Sequence, residues 1–132
     1  MNSAETLAFA EHFMISIQRG DTDAVRACNA PGATIWHNTD HVEQTVDKTI
    51  EAVKCLHRAL KNVNYRVTRR VAFESGFLQT HVLEGTRADG SALRLDACVI
   101  ITVEEGLIRR LDEYIDSAQT MAPAARSAVP NA

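Results

Sequence analysis

The 132-residue sequence lacks several features that would place it in a large functional class. No apolar run approaches the ~20 residues that a membrane span needs, and acidic residues stand near the N-terminus where a signal peptide carries basic ones. Basic residues are not in excess, because the net charge is −3, so a nucleic-acid-binding surface is not expected. These absences predict a cytoplasmic protein with neither a membrane nor nucleic acid as partner.

Cysteine is scarce, and its spacing does not suit a metal site. Cys28, Cys55 and Cys98 are far apart, with no CxxC and no histidine at zinc-finger spacing. The sequence also has no HxH or HExxH motif. We therefore expect buried, reduced thiols and predict neither a metal nor a cofactor.

The chain is long enough for one domain with one core. In its first half the apolar residues recur at helical spacing. One helix begins after Ser3 and ends at Gly20, and a shorter one begins at Asp21. The segment ATIWHN (33–38) predicts a strand, and a longer helix then carries an apolar stripe that begins at Val46.

From residue 65 the apolar period changes from helical to alternating. This change predicts four strands, at about 65–74, 77–87, 92–103 and 107–116. Helices first and strands last indicate an α+β domain over residues 1–118, with the helices packed on one face of a curved sheet. The Ala- and Pro-rich residues 119–132 are predicted to form a mobile tail.

The lengths of three turns predict which side chains share a face of the sheet. Two-residue turns at Ser75-Gly76 and Asp89-Gly90, with a three-residue turn at Glu104-Glu105-Gly106, give registers that agree with one another. One face then collects most apolar side chains, among them Val71, Phe73, Leu78 and Val82, and the helices must cover it. Its polar exceptions are Arg69, Thr80, Glu84, Arg109 and Glu113. The opposite face carries Gln79, His81, Asp96, Asp112, Tyr114 and Asp116.

Glu113, in the segment LIRRLDEYID (107–116), is the first candidate for a catalytic residue. An acid that is desolvated by neighbours such as Leu111 and Ile115 can exchange protons near neutral pH. The structural alternative is an ion pair with Arg69 or Arg109.

The first strand and the long helix supply further candidates. Trp36 and Asn38 share one side of the strand, where the indole could stack on a ligand and the amide could hydrogen-bond to it. The alternative is a core Trp, with Asn38 capping the next segment. His37 is a second candidate for the catalytic base, although strand alternation turns it away from Trp36. His57 either contacts the substrate or is a satisfied core histidine.

Two inward polar residues of the predicted sheet complete the candidate site. Arg69 could bind an anionic group or pair with Glu113, and Thr80 could hydrogen-bond to a substrate. The residues His81 and Asp96 look like a dyad, but the predicted register places both on the outer face.

The order of elements, with RGDTDAVRACNAPGATIWHN (19–38) and VEEGLIRRLDEYID (103–116), resembles the nuclear transport factor 2-like superfamily and its SnoaL-like domains. Polyketide cyclases, ketosteroid isomerases, scytalone dehydratases and limonene epoxide hydrolases belong to this group. The resemblance implies a cone-shaped sheet, mixed or antiparallel, with the N-terminal helices on its concave face. It also implies an apolar pocket, commonly in a dimer.

The catalytic residues of the related enzymes are only partly present at the matching positions of this chain. Ketosteroid isomerases have a tyrosine, a base aspartate and an oxyanion-hole acid where this chain has Phe13, His37 and a position near Val99, so that chemistry is disfavoured. Of the five positions of limonene epoxide hydrolases, only those at Asn38 and Glu113 keep a suitable residue. The SnoaL-like cyclases use a cavity carboxylate with a histidine, which Glu113 with His37 or His57 could supply.

Two functions stay open on the sequence. The first is a cofactor-free enzyme that acts by acid/base catalysis on a small, hydrophobic, oxygenated molecule, as a cyclase, isomerase, dehydratase or hydrolase. The second is a non-catalytic ligand-binding or dimerisation module of the same fold. For both we predict a homodimer through the outer face of the sheet.

Overall fold

The computed structural model describes residues 1–120, and its elements follow the predicted order of helices and strands. In chain order they are α1 (Ser3–Arg19), α2 (Thr22–Ala27), β1 (Asn29–His37), β2 (Glu43–Gln44), α3 (Val46–Ala59), β3 (Leu60–Phe73), β4 (Gly76–Arg87), β5 (Ala92–Glu104), β6 (Leu107–Ile115) and a 3₁₀ helix (Ser117–Thr120). β3 begins earlier than predicted, and the short β2 was absent from the prediction.

Capping residues determine where the first two helices begin and where the first one ends. Asn2 caps α1 through a hydrogen bond to the backbone of the first turn, one residue before the predicted cap. Gly20 ends α1 in the left-handed conformation, with φ of 70°. Asp21 then caps α2 through the backbone N–H of Ala24, as predicted.

The strands form one open, mixed sheet in the order β2-β1-β6-β5-β4-β3. β1 runs parallel to β6, and the other neighbours are antiparallel. The helices cover the inner, concave face of this sheet. The predicted α+β cone with N-terminal helices on its concave face is therefore confirmed.

Two groups of apolar side chains hold the helices on the sheet. The larger group joins α1 and α2 to β1, β4, β5 and β6, and includes Ala10, Phe13, Ile35, Phe77, Ile101 and Ile108. The smaller group lies where β3 follows α3, and consists of Leu60, Leu83, Leu93 and Leu95. Burial of these side chains supplies most of the driving force for folding.

The faces of β5, and of β6 from Leu111 onward, are as predicted, but Ile108 is buried and Arg109, which was predicted to face inward, is exposed. Alternate residues from Leu93 to Ile101 are buried on the inner face. The β5–β6 turn is shorter than predicted, because Glu105 and Gly106, with φ of 51° and 77°, form a two-residue turn. A register shift between Thr102 and Val103 follows it. Glu113 therefore lies on the inner face as predicted, although its partner on β5 is Val99 and not Ala97, which the three-residue turn predicted.

The predicted faces of β4 are wrong. The connection to β5 is a three-residue loop, Ala88-Asp89-Gly90, closed by Gly90 with φ of 88°. One extra residue in the loop moves β4 by one position against β5 and exchanges its faces. Gln79 and His81 therefore point inward, and Thr80 points outward.

The predicted faces of β3 are wrong over its second half. A β-bulge between Val67 and Arg69 shifts the pairing with β4 by one residue. Arg70 then lies opposite the buried Gln79, and Arg69, which was predicted to face inward opposite Val82, lies on the outer face opposite Thr80. The β3–β4 turn is Glu74-Ser75, one residue earlier than the predicted Ser75-Gly76. Val71 and other apolar residues near the β3–β4 turn are exposed on the outer face instead of packing in the core.

The predictions for the cysteines and for the C-terminus are met only in part. Cys28 is buried as predicted, Cys98 is half-buried and Cys55 is exposed, and all three are free thiols. The predicted tail (119–132) begins inside the 3₁₀ helix, and its residues from 121 onward lie outside the described part of the chain. No helix within residues 1–120 is long and apolar enough to cross a membrane.

Candidate active site

A cavity of about 220 Å³ lies between α1, α3 and the inner face of the sheet. Most of its wall is apolar, from side chains such as Phe13, Val53 and Leu111. The polar residues on the wall are His37, Gln44, Thr49, Tyr65, His81 and Glu113. An apolar pocket with a few converging polar groups is the usual form of a small-molecule site.

Glu113 and His37 meet at one side of this cavity. β1 and β6 pair in parallel with His37 opposite Glu113, so both side chains project from the same face. His37 Nε2 lies 2.9 Å from Glu113 Oε1, and each side chain is about a quarter exposed. The strand does not turn His37 away from the pocket as alternation from Trp36 suggested, because Trp36 itself faces outward.

The carboxylate determines the charge of this histidine. The hydrogen bond that His37 donates to Glu113 raises the pKa of His37, burial lowers it, and the negative charges of Glu113 and Asp40 raise it further. The net shift is upward, which favours an imidazolium paired with a carboxylate. One cavity wall thus holds a proton donor and a proton acceptor in contact.

Replacing Glu113 with Gln is expected to lower the pKa of His37, which NMR titration of the ring would measure. A raised folded-state pKa stabilises the protein fully below the unfolded value of ~6.5 and loses that contribution as pH rises through the folded value. The wild type should therefore exceed Glu113→Gln in unfolding free energy by more at about pH 5.5 than at about pH 8.5. Asp112→Asn is the control, and an unchanged difference at both pH values would contradict the pairing.

A second polar group lies deeper, on β4. His81 is 3% exposed, and its Nδ1 lies 2.9 Å from Nε2 of the fully buried Gln79. Arg70 Nε donates to Gln79 Oε1 at 2.8 Å, which ties this pair to β3. Burial lowers the pKa of His81, with the charge of Glu113 acting in the opposite direction.

The two polar groups are connected by the register of the sheet. Residues Arg70, Gln79, Val99, Glu113 and His37 form one row across five strands, each paired with the next. Strands lie about 4.8 Å apart, so Gln79 and Glu113 are separated by roughly 10 Å at the backbone. Val99 lies between them and forms the floor of the cavity.

Tyr65 completes the inner wall, at the start of β3. Its ring packs edge-on to His81, with centroids 5.2 Å apart. Burial and the charge of Glu113 both raise the pKa of Tyr65, so its hydroxyl group keeps its proton. The hydroxyl is therefore a neutral hydrogen-bond donor beside the cavity.

Two residues that the sequence assigned to substrate binding lie elsewhere on the first strand. Trp36 pairs with the outward Asp112 and packs against the rings of His41 and Tyr114 on the outer face. Asn38 extends the β1–β6 pairing, because its side chain donates to the carbonyl of Ile115 and accepts from its N–H. The predicted positions of Trp36 and Asn38 in the pocket are therefore wrong.

Three further predicted ligand contacts are also outside the cavity wall. His57 Nε2 donates to the carbonyl of Ile17 at 2.8 Å and so ties α3 to the end of α1. Arg69 is exposed on the outer face, after the bulge of β3. Thr80, on the same face, shares a hydrogen bond with Thr68 at 2.7 Å. His57 is thus the satisfied histidine of the structural alternative.

Sequence reasoning missed three residues of the site: Tyr65, Gln79 and His81. The last two were assigned to the outer face by the length of one turn. The signal that could have corrected this was Ala88-Asp89-Gly90, since a three-residue hairpin loop commonly places Gly last. No group of three or more His, Cys, Asp or Glu residues that could hold a metal ion occurs among the described residues.

The model of the SnoaL-like domain family matches residues 10–111. The chain therefore belongs to the SnoaL-like domain family. A comparison with curated protein sequences gives no match.

Solved structures with the same fold come from several organisms. AclR of Streptomyces galilaeus has a TM-score of 0.84 at 11% identity, over 95% of this chain and 98% of its own. An LEH-like epoxide hydrolase of M. tuberculosis has a TM-score of 0.73 at 16% identity, over 89% and 86%. An NTF2-like protein of Burkholderia pseudomallei has a TM-score of 0.75 at 13% identity, over 91% and 95%. At these identities the likeness establishes the nuclear transport factor 2-like fold and not the activity.

Proposed function

We propose that this protein is a cofactor-free enzyme in which Glu113 and His37 form an acid/base pair. The observation that carries the proposal is the 2.9 Å contact between the two side chains on the wall of an apolar cavity. A carboxylate and an imidazolium in contact can take up a proton and return one within the same turnover. Their placement on the wall of a largely apolar cavity brings a bound substrate within reach of both.

The contacts of Glu113 support a working acid more than a purely structural one. Its Oε1 atom accepts from His37, while Oε2 has no hydrogen-bond partner within residues 1–120. An ion pair with Arg69 or Arg109 would have occupied the carboxylate, but both arginines are exposed on the surface. Oε2 is the atom that would accept the substrate proton.

The cavity limits the substrate. Its volume of about 220 Å³ is below the ~300 to 1,000 Å³ of pockets for drug-sized ligands. A small hydrophobic molecule with one or two oxygen functions fits this space and its polar residues. Cyclisation, isomerisation, dehydration and hydration are reactions that one proton-transferring pair can catalyse on such a molecule.

The experiment that tests the proposal is a turnover screen of small carbonyl and hydroxyl compounds with the wild type and Glu113→Gln. Native mass spectrometry of the purified protein would supply leads, because a carried ligand gives its mass directly. A compound consumed by the wild type and not by the variant supports the enzyme. A ligand that binds both proteins equally and is never converted favours the binding module instead.

We also propose a homodimer through the outer face of the sheet. This face exposes Ile100, Tyr114 and Phe73, each at least 36% exposed, beside charged residues. Ile100→Lys is expected to convert dimers into monomers in light scattering, because it places a charge in a buried contact. Leu7→Lys is the matched control, since Leu7 is exposed on α1, which covers the opposite face of the sheet. A monomeric wild type would contradict the proposal.

A further inference from the structure

We propose that His81 is a second catalytic residue, whose Nε2–H donates a hydrogen bond to a substrate oxygen, and that Gln79 and Arg70 position it for this role. The inference rests on the proposed acid/base function. It places His81, on the far side of the same cavity, as the donor that stabilises the negative charge that develops on the substrate oxygen. Its evidence is the hydrogen-bond chain from Arg70 to His81.

The chain from Arg70 determines the tautomer of His81. An arginine can only donate, so the Gln79 atom that faces Arg70 Nε must be the carbonyl oxygen. The amide nitrogen of Gln79 then faces His81 Nδ1 and donates to it. A ring nitrogen that accepts carries no proton, so in the neutral ring the proton is on Nε2.

The Nε2 atom is the free end of this chain. Nε2 has no hydrogen-bond partner among the described residues. Thr49 Oγ1 is the unpaired side-chain polar atom that is fully buried within those residues, so Nε2 of His81 keeps some accessible surface. His81 lines the cavity, with Tyr65 against its ring and Ala97 opposite it on β5. An N–H that water-sized molecules can reach, with no protein acceptor, is available to a ligand.

The surroundings keep the ring neutral. Burial lowers the pKa of His81, and the positive charge of Arg70 lowers it further, against the opposing effect of Glu113. A neutral N–H donor in a water-poor site stabilises an oxyanion without having to be protonated first. This complements His37, whose pKa is shifted in the opposite direction by contact with Glu113.

The two groups lie at a distance that suits one small substrate. His81 is on β4 and Glu113 on β6, with β5 between them, so their backbones are separated by about two strand spacings of ~4.8 Å across the sheet and by two residues, ~7 Å, along the strands. Side chains on a concave face converge. A carbonyl compound lying over Val99 could therefore reach both groups.

The chemical step that this arrangement serves is enolisation. Glu113 Oε2 takes a proton from the carbon next to the carbonyl, the C–H electron pair forms the C=C bond, and the carbonyl π electrons move to oxygen. The His81 Nε2–H donates to that enolate oxygen. In a β,γ-unsaturated carbonyl compound the enolate is a dienolate, so return of the proton from Glu113 to the γ-carbon re-forms the C=O bond and gives the α,β-unsaturated isomer. In a β-hydroxy carbonyl compound the enolate electrons re-form the C=O bond, the Cα=Cβ bond forms as the Cβ–O bond breaks, and the leaving hydroxyl group takes the proton from Glu113 and departs as water.

The tautomer can be tested without any substrate. Long-range ¹H–¹⁵N NMR of histidine-labelled protein should show Nδ1 of His81 unprotonated and Nε2 protonated, with the signals assigned by their loss in His81→Phe. Gln79→Glu places an acceptor against Nδ1 and should make that nitrogen protonated. A protonated Nδ1 in the wild type, or no change in the variant, would overturn the assignment.

The donor role can be tested with 4-nitrophenol, whose anion is a one-ring oxyanion with a strong absorbance. His81→Phe should weaken binding of the phenolate about tenfold or more, the loss expected when a hydrogen bond to a charged group is removed. His81→Gln, whose amide nitrogen lies near the Nε2 position, should restore part of the affinity. Binding of the phenolate that is equal in all three proteins would refute the role of His81.

The outcomes separate this inference from the proposed function. Phenolate binding requires no turnover, so it tests His81 even if Glu113 is not a catalytic acid. Glu113→Gln should bind the phenolate more tightly than the wild type, because it removes a negative charge from the same cavity. If only the Glu113 variant loses turnover while His81→Phe keeps both turnover and phenolate affinity, the acid/base pair stands and the assignment of His81 fails.

Discussion

Replacing Glu113 with Gln is expected to lower kcat by about 10²- to 10⁴-fold on any compound that the wild type converts, the usual contribution of a general acid or base. The amide keeps the shape of the side chain and can still contact His37, but it cannot carry the proton. Because the introduced glutamine would occupy the same volume, we expect KM to change much less than kcat. Steady-state kinetics of the two proteins on one substrate measures both values.

The matched control is Asp112→Asn, one residue earlier on the same strand. Asp112 faces outward and is paired with Arg110 at 2.9 Å, so the same chemical change is made outside the cavity. Its kcat should stay within about twofold of the wild type, since it contacts neither the cavity nor the pair. Equal losses in both variants would mean that the effect is one of strand structure, and wild-type turnover by Glu113→Gln would end the proposed mechanism.

The second large effect is on stability. Phe77→Ala is expected to lower the unfolding free energy by about 3 to 5 kcal/mol, as for other fully buried aromatic side chains. Phe77 is 0% exposed and packs in the larger core group, under the helices. The loss includes the buried area and the void that the neighbours cannot fill. Urea denaturation followed by circular dichroism measures it.

Phe73→Ala is the control on the same hairpin. Phe73 pairs with Gly76 at the β3–β4 turn and is 41% exposed on the outer face. Its removal should cost less than about 1 kcal/mol in the monomer, because little buried area is lost. The sequence predicted Phe73 and Phe77 in neighbouring strands and placed Phe73 on the inner face of the sheet. A larger loss for Phe73 than for Phe77 would contradict the observed faces.

The sequence was sufficient for the fold class and for one side of the site. Alternation over residues 92–103 is clear, so the inner face of β5 could be read directly. The register of β6 follows from it, although the turn was predicted one residue too long, since the bulge near Val103 offsets that error. Glu113 was therefore predicted on the correct face because two errors cancelled: the turn was predicted one residue too long, and the bulge was not predicted.

The other side of the site could not be predicted by the same method. The face of each strand was predicted from that of its neighbour. One extra residue in the Ala88–Gly90 loop therefore reversed the predicted faces of β4, so Gln79 and His81 were predicted to face outward. Hydropathy gave no warning, because Leu78, Thr80 and Val82 alternate with Phe77, Gln79 and His81 in a strand whose two faces are similarly apolar. Only pairing with β5 decides between them.

His37 illustrates a different limit. Its position depends on parallel pairing between β1 and β6, which are brought together by the whole intervening fold. No local pattern encodes such a contact. The family resemblance suggested a histidine beside the carboxylate, and left open whether it was His37 or His57. The three-dimensional pairing decides for His37, while His57 serves the junction of two helices.

The parallel pairing of β1 with β6 also limits when the contact between His37 and Glu113 can form during synthesis. Asn38 and Ile115, which brace that pairing, are 77 residues apart. On the ribosome, β1 leaves the exit tunnel long before β6 is made, and it waits without its neighbour while the hairpins between them form. Closing so long a loop is a late and slow event. The contact between His37 and Glu113 therefore cannot form until Glu113, near the end of the described residues 1–120, has been translated.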